Sequence, residues 1–223
     1  MEFFILNKNI ILRNPFRSLK LKTKSPSKQK LTTGEVYELT KHDFTNIDCL
    51  EKVRDIFMFS IYTGLAYSDA MELSVKHLHT TSTNGLMLVI NRKKTDEETK
   101  LFLVQQATDI IIKYKEFQNL NTNGYLLPRM SNQQLNLRLK ILAEKVGIYT
   151  KLTSHIARHT YSQFVRAAGV TDTLTKNKMM GHSSGNNIRD IYEGVIEIEL
   201  FQAKEKFQVF LDEILKKNET KLL

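Results

Sequence analysis

The sequence predicts an α+β fold dominated by helix, and three observations predict it. Apolar residues recur at helical spacing over most of the chain. Only two short runs, Leu86–Ile90 and Leu101–Val104, have the branched and aromatic texture of strands. No internal repeat or low-complexity stretch intervenes apart from a basic segment near the start.

Taken in order, residues 13–30 (RNPFRSLKLKTKSPSKQK) hold seven Lys and Arg, two prolines and no acid, so residues 1–30 read as an extended basic linker and 31–223 as the folded part. Thr32 with Glu35 is a capping-box pair, and it opens a short helix carrying Val36 and Leu39. From Asp48 to Thr63 the residues Leu50, Val53, Ile56, Phe57 and Ile61 form a helical stripe that Gly64 stops. Ser68 and Asp69 suit the N-terminal cap of a short helix holding Met71 and Leu73. The two strand runs flank NRKKTDEETK, a hairpin with a long charged turn. Helices are predicted over 106–119, 131–146, 154–168, 172–179 and 186–191, and a last amphipathic one over 196–215.

Composition narrows the partners. Basic residues outnumber acidic ones 33 to 24, a formal charge of +9, which favours nucleic acid over an anionic membrane surface. Hydrophobic residues at 41% and charged residues at 26% exclude disordered, collagenous and disulfide-stapled classes. A single cysteine, Cys49, forms no internal disulfide and suits a reducing compartment. With no run approaching the ~18 apolar residues of a membrane span, a cytoplasmic protein is expected.

Two segments carry chemistry. In TSHIARHTYSQFVRAAGV, His155 and Arg158 share a face at a helix start, where free N–H groups, the helix dipole and a guanidinium favour an anion. In MMGHSSGNNIRDIYEGV, Gly181 ends a helix, His182 follows, and Tyr192 stands ten residues on, with polar SSGNN and two glycines leaving its hydroxyl partly exposed. Tyr149 and Tyr161 occupy core-like positions, so packing is expected for both.

H-x-x-R-H, then Gly-His, then Tyr, in this order and at these separations, resemble the tyrosine recombinases, the DNA-cutting integrases of phages and mobile elements. IYTGLAYSDAMEL resembles the family's first motif, and the hairpin resembles the one presenting its catalytic lysine. YSDA with R-x-K-T is similar to integrases of Bacteroidetes elements. RNPF with the basic linker resembles the junction to a core-binding domain, of which residues 1–30 would be the remnant. The resemblance implies the tyrosine recombinase catalytic-domain fold and a site-specific recombinase acting on double-stranded DNA without cofactor or metal.

It further implies that Tyr192 attacks the scissile phosphate to give a 3′-phosphotyrosyl bond, that Arg158 holds its non-bridging oxygens, that His155 serves in proton transfer and that His182 hydrogen-bonds the phosphate. A lysine of the hairpin would protonate the leaving oxygen. Strand alternation puts Arg92 and Lys94 on one face with Lys93 turned away, and Lys94-Thr95 matches related integrases, so Lys94 is chosen. The family's first arginine is replaced here by Ala66. Either the chain is a catalytically impaired DNA-binding remnant, or Arg92 fills the gap. His159 either buttresses Arg158 or only packs. Lys20, Lys22, Lys24, Lys28, Lys30, Arg54 and Lys93 are expected on backbone phosphates. The apolar C-terminal helix either packs on its own domain or docks on a neighbouring protomer, the latter giving a homo-oligomer, a tetramer on DNA.

Overall fold

The structure, a computed structural model, describes residues 29–44, 47–81, 85–182 and 197–219. The predicted helix over 186–191, Tyr192, and the linker residues Lys20, Lys22, Lys24 and Lys28 lie outside these.

The chain enters at Leu31, whose N–H donates to Thr160 Oγ1 at 3.0 Å. α1 (Thr33–Lys41) begins with the capping box: Glu35 N–H donates to Thr32 Oγ1 at 3.2 Å and Thr32 N–H to Glu35 Oε2 at 2.8 Å. α2 (Asp48–Thr63) is buried continuously from Asp55 to Thr63, which makes it the central helix of the core. It ends at Gly64, whose φ of 70° places it in the left-handed region open to glycine. α3 (Tyr67–Glu72) has Ala66 as its N-cap, and Asp69 is buried inside its first turn, so Ser68 and Asp69 are not the cap expected of them. A 3₁₀ turn (Val75–His77) leads into the sheet.

The hairpin proves to be a three-stranded antiparallel sheet of β1 (Leu78–Thr80), β2 (Leu86–Asn91) and β3 (Glu98–Phe102), in that order. Leu88 and Ile90 of β2 point into the core, and Leu88 pairs with Leu101. The helix expected over 106–119 is broken at Tyr114 into α4 (Gln105–Lys113) and α5 (Lys115–Leu120). Tyr114 donates its hydroxyl to the buried Asp55 carboxylate at 2.8 Å, so a tertiary bond holds the break where neither Gly nor Pro announces one. α6 (Asn132–Val146), α7 (Ser154–Ala167) and α8 (Thr173–Met180) follow close to expectation.

The last helix, α9 (Glu197–Glu219), buries Leu200, Ala203, Phe207, Leu211 and Ile214 against the chain itself. Phe201 meets Phe102 of β3 edge to face at 5.3 Å, Phe207 meets Tyr161 of α7 at 5.5 Å, and Phe210 meets Phe164 at 5.3 Å. Each such pair adds about 0.5–1.5 kcal/mol beyond burial. The buried part of the apolar stripe thus packs on the chain's own domain, the first of the two alternatives for this helix, while Ile198 and Val209 stay exposed. Tyr161 is buried as expected, whereas Tyr149 stands fully exposed, because the chain leaves α6 through a left-handed Gly147 and turns that side chain outward. No helix among the described residues is long and apolar enough to cross a membrane.

Candidate active site

Helix ends build the floor of the site. The chain just past α2, at Gly64, and the last turn of α8, at Met180 and Gly181, present main-chain carbonyls that have no partner within their helices. Arg158, in the second turn of α7 and only 6% exposed, donates Nη1 to the Gly64 carbonyl at 2.5 Å and Nη2 to the Met180 carbonyl at 2.6 Å. Arg92, just past β2 and 9% exposed, donates Nη1 to the Gly181 carbonyl at 2.9 Å. A cation at a helix C-terminus also meets the negative end of the dipole.

Asp69 completes the floor. One carboxylate oxygen accepts Arg92 Nε at 3.4 Å, and the other accepts the Lys93 main-chain N–H at 3.1 Å. Burial, and then the charge of Arg92, draw the Arg158 pKa down to about 10, which leaves it cationic at neutral pH. Of the two guanidinia, Arg92 bonds the Asp69 carboxylate, and Arg158 bonds main-chain carbonyls and feels that carboxylate only through its charge. Each carries five N–H donors, and these bonds use two on each, so donors remain for an anion placed between them.

Glycine is required at both carbonyl-bearing turns. Gly181 has φ 56°, and a Cβ there would lie 2.1 Å from Thr99 Oγ1 and 2.2 Å from Arg92 Cδ. At Gly64, with φ 70°, a Cβ would lie 2.2 Å from the Tyr161 ring. Small residues here let Arg92 and Tyr161 slide beneath the main chain.

His155, in the first turn of α7, is exposed and stacks edge to face on His159 at 4.2 Å. His182, also exposed, follows Gly181 directly, its N–H held by the Asn177 carbonyl at 2.9 Å. Arg158 of α7 and Arg92 of the β2 end therefore meet at the α8 end, with His182 following the carbonyl that holds Arg92 and His155 one turn before Arg158 along α7. Strand alternation does not describe the lysines: β2 stops at Asn91, Arg92 turns inward, and both Lys93 and Lys94 are exposed in the turn that follows. Lys93 Nζ lies 3.6 Å from Glu72. Lys30 is exposed and, with His159 and Arg166, lines a groove of about 580 Å³ along α7.

Arg54 belongs elsewhere. Its guanidinium contacts Asp55 at 3.0 Å, Glu51 at 3.6 Å and the His42 carbonyl at 2.9 Å, and it lies against the Phe44 ring, so it ties the core and is not free for a phosphate. The sequence reading missed Asp69 as a site residue. Its signal was the buried register it shares with Ala70 and Leu73. Among the described residues no cluster of His, Cys, Asp and Glu is arranged to hold a metal ion.

Residues 29–196 match the model of the phage integrase family. The fold is similar to that of an integrase from mycobacterium phage Brujita, with a TM-score of 0.62 and 15% identity over 95% of this chain and 72% of that one. XerA recombinase gives a TM-score of 0.56 at 17% identity over 80% of this chain and 64% of that one. The XerH site-specific recombinase bound to its difH substrate before cleavage gives 0.56 at 14% identity, over 72% of this chain and 48% of that one. The matched region thus spans about half the length of XerH. No curated protein matches at a significant level.

Proposed function

Because the chain belongs to the phage integrase family of tyrosine recombinases, we propose that it carries the catalytic domain of a site-specific recombinase that cuts and rejoins double-stranded DNA through a phosphotyrosyl intermediate. The observation that carries this reading is the buried pair of Arg92, bonded to Asp69 and the Gly181 carbonyl, and Arg158, bonded to the Gly64 and Met180 carbonyls, a surplus of positive charge with unused donors.

The phosphodiester binds between the two guanidinia, which neutralise its non-bridging oxygens and the charge that grows on them as the nucleophile approaches. Tyr192 loses its phenolic proton to His155 and attacks the phosphorus. The bond to the 5′-oxygen breaks as Lys94 protonates it, leaving a 3′-phosphotyrosyl ester and a free 5′-hydroxyl. His182 hydrogen-bonds the phosphate throughout. The ester keeps the free energy of the original bond, so attack by a 5′-hydroxyl restores the backbone and the tyrosine with no call on ATP or metal.

A second reading, a catalytically impaired DNA-binding remnant, is favoured by Ala66, where the family carries an arginine. One experiment separates them. A library of nicked suicide duplexes with randomised flanks is incubated with the protein in EDTA, and protein–DNA adducts are resolved under denaturing conditions. The recombinase reading expects an adduct from the native protein and none from Tyr192→Phe; no adduct from the native protein leaves the remnant.

A further inference from the structure

Beside the arginine floor lies a second cleft, of about 560 Å³, between the segment formed by α3 and the 3₁₀ turn and the outer side of β2. The two share walls. Glu72 of the cleft is three residues beyond Asp69, and Lys93 follows Arg92, its N–H held by Asp69 at 3.1 Å.

The chemistry of the lining is that of a phosphate seat. His77 Nδ1 accepts the Ser74 N–H at 3.0 Å, which commits that nitrogen as an acceptor and leaves the ring proton on Nε2, a donor open to the cleft. Burial, and then the charge of neighbouring Lys76, pull the His77 pKa down, so the ring is a neutral donor at pH 7. Lys76 and Asn91 are exposed, and among the described residues neither side chain has an ion pair or hydrogen bond. The one acid, Glu72, is engaged by Lys93 at 3.6 Å and by Arg129 at 3.4 Å, so the rim keeps a positive surplus.

We propose that this cleft seats the DNA backbone phosphate next to the scissile one, held by Lys76, by the Nε2–H of His77 and by the Asn91 amide. The inference rests on the recombinase reading and extends it. In this proposal the DNA runs from the phosphate over Arg92 along the β2 end, and the adjoining phosphate meets the cleft that these three side chains line. Lys76 supplies charge and the other two supply direction, so the seat contributes to position and register and carries no base preference.

The test uses the full chain and the nicked duplex that gives the adduct. Methylphosphonates, which remove one phosphate charge, are placed singly at three positions on either side of the cut. Native protein is expected to bind about tenfold more weakly when the seated phosphate is neutralised, the scale of a hydrogen bond to a charged group. The penalty is expected to fall below twofold in Lys76→Ala, which has lost the charge partner of that phosphate, and to an intermediate value in His77→Ala, where Lys76 and Asn91 still hold it. In a salt titration Lys76→Ala lowers the slope of log K against log salt by about 0.9. His77→Ala weakens binding at unchanged slope, and His77→Gln, which keeps a side-chain N–H, recovers part of the loss. The same methylphosphonate penalty in both variants as in the native protein overturns the seat, as does a native slope and affinity for Lys76→Ala. If the native protein forms the adduct and the variants match it throughout, only the seat fails; if it forms no adduct and binds no duplex, the recombinase reading fails and the seat with it.

Discussion

The described residues include two clusters that bury charge, and their balance differs. Around Asp55, a carboxylate 6% exposed takes Lys113 Nζ at 2.6 Å, Arg54 Nε at 3.0 Å and the Tyr114 hydroxyl at 2.8 Å, while Glu51 takes the same two cations from its own side. Two negative charges meet two positive ones, and the cluster is closed. At the arginine floor Asp69 is, among the described residues, the one acid bonded to either guanidinium, and it bonds Arg92; main-chain carbonyls take Arg158 and the second bond of Arg92. A closed cluster ties α2 to α4; an open one waits for an anion. The cost of burying unmatched charge is what makes the second arrangement informative, since packing alone gives no reason to bear it.

The largest test of this contrast is removal of either guanidinium. Arg158→Ala and Arg92→Ala are each expected to slow single-turnover cleavage by about 10²–10³-fold, the scale of losing one preorganised donor from a transition-state charge. Near-normal cleavage by Arg92→Ala breaks the comparison, because the floor would then need only one arginine. Asp55→Ala is expected to act on stability instead. Urea unfolding should show a loss of about 3 kcal/mol, the low end for a broken buried pair because Glu51 still holds Lys113 and Arg54, with cleavage by the folded fraction retained. A fall in cleavage matching that of Arg158→Ala would merge the two clusters into one role. The smallest effect sharpens the contrast: inorganic phosphate at ten times its dissociation constant adds about 1.4 kcal/mol, a rise of about 3–5 °C in Tm. That rise should persist in Asp55→Ala and vanish in Arg92→Ala.

Much of this was legible in the sequence where one local rule decides. The Thr32–Glu35 box and the stop at Gly64 are read from a few adjacent residues, and both form as expected. Legibility fails where distant partners decide. Tyr114 breaks a helix for the sake of Asp55, which is 59 positions away. β1 has three residues of mixed polarity, and the neighbouring β2 defines it. Arg92 and Lys94 were joined by the alternation of a strand that in fact ends one residue earlier; Arg92 reaches Arg158's neighbourhood because Asp69 and Gly181 draw it inward. Asp55 itself sits among Val53, Ile56 and Phe57, and an acid in so apolar a stripe was a signal of buried pairing.

The carbonyls of Gly64, Met180 and Gly181 have a consequence for how such a domain drifts. Three of the bonds that seat the arginines end on atoms every amino acid possesses, so no side-chain replacement at Met180 can delete its acceptor. What must be inherited is the course of the main chain, and the two glycines with positive φ hold that. Sequences with little else in common can therefore keep the same charged floor, provided the turns at 64 and 181 keep their shape.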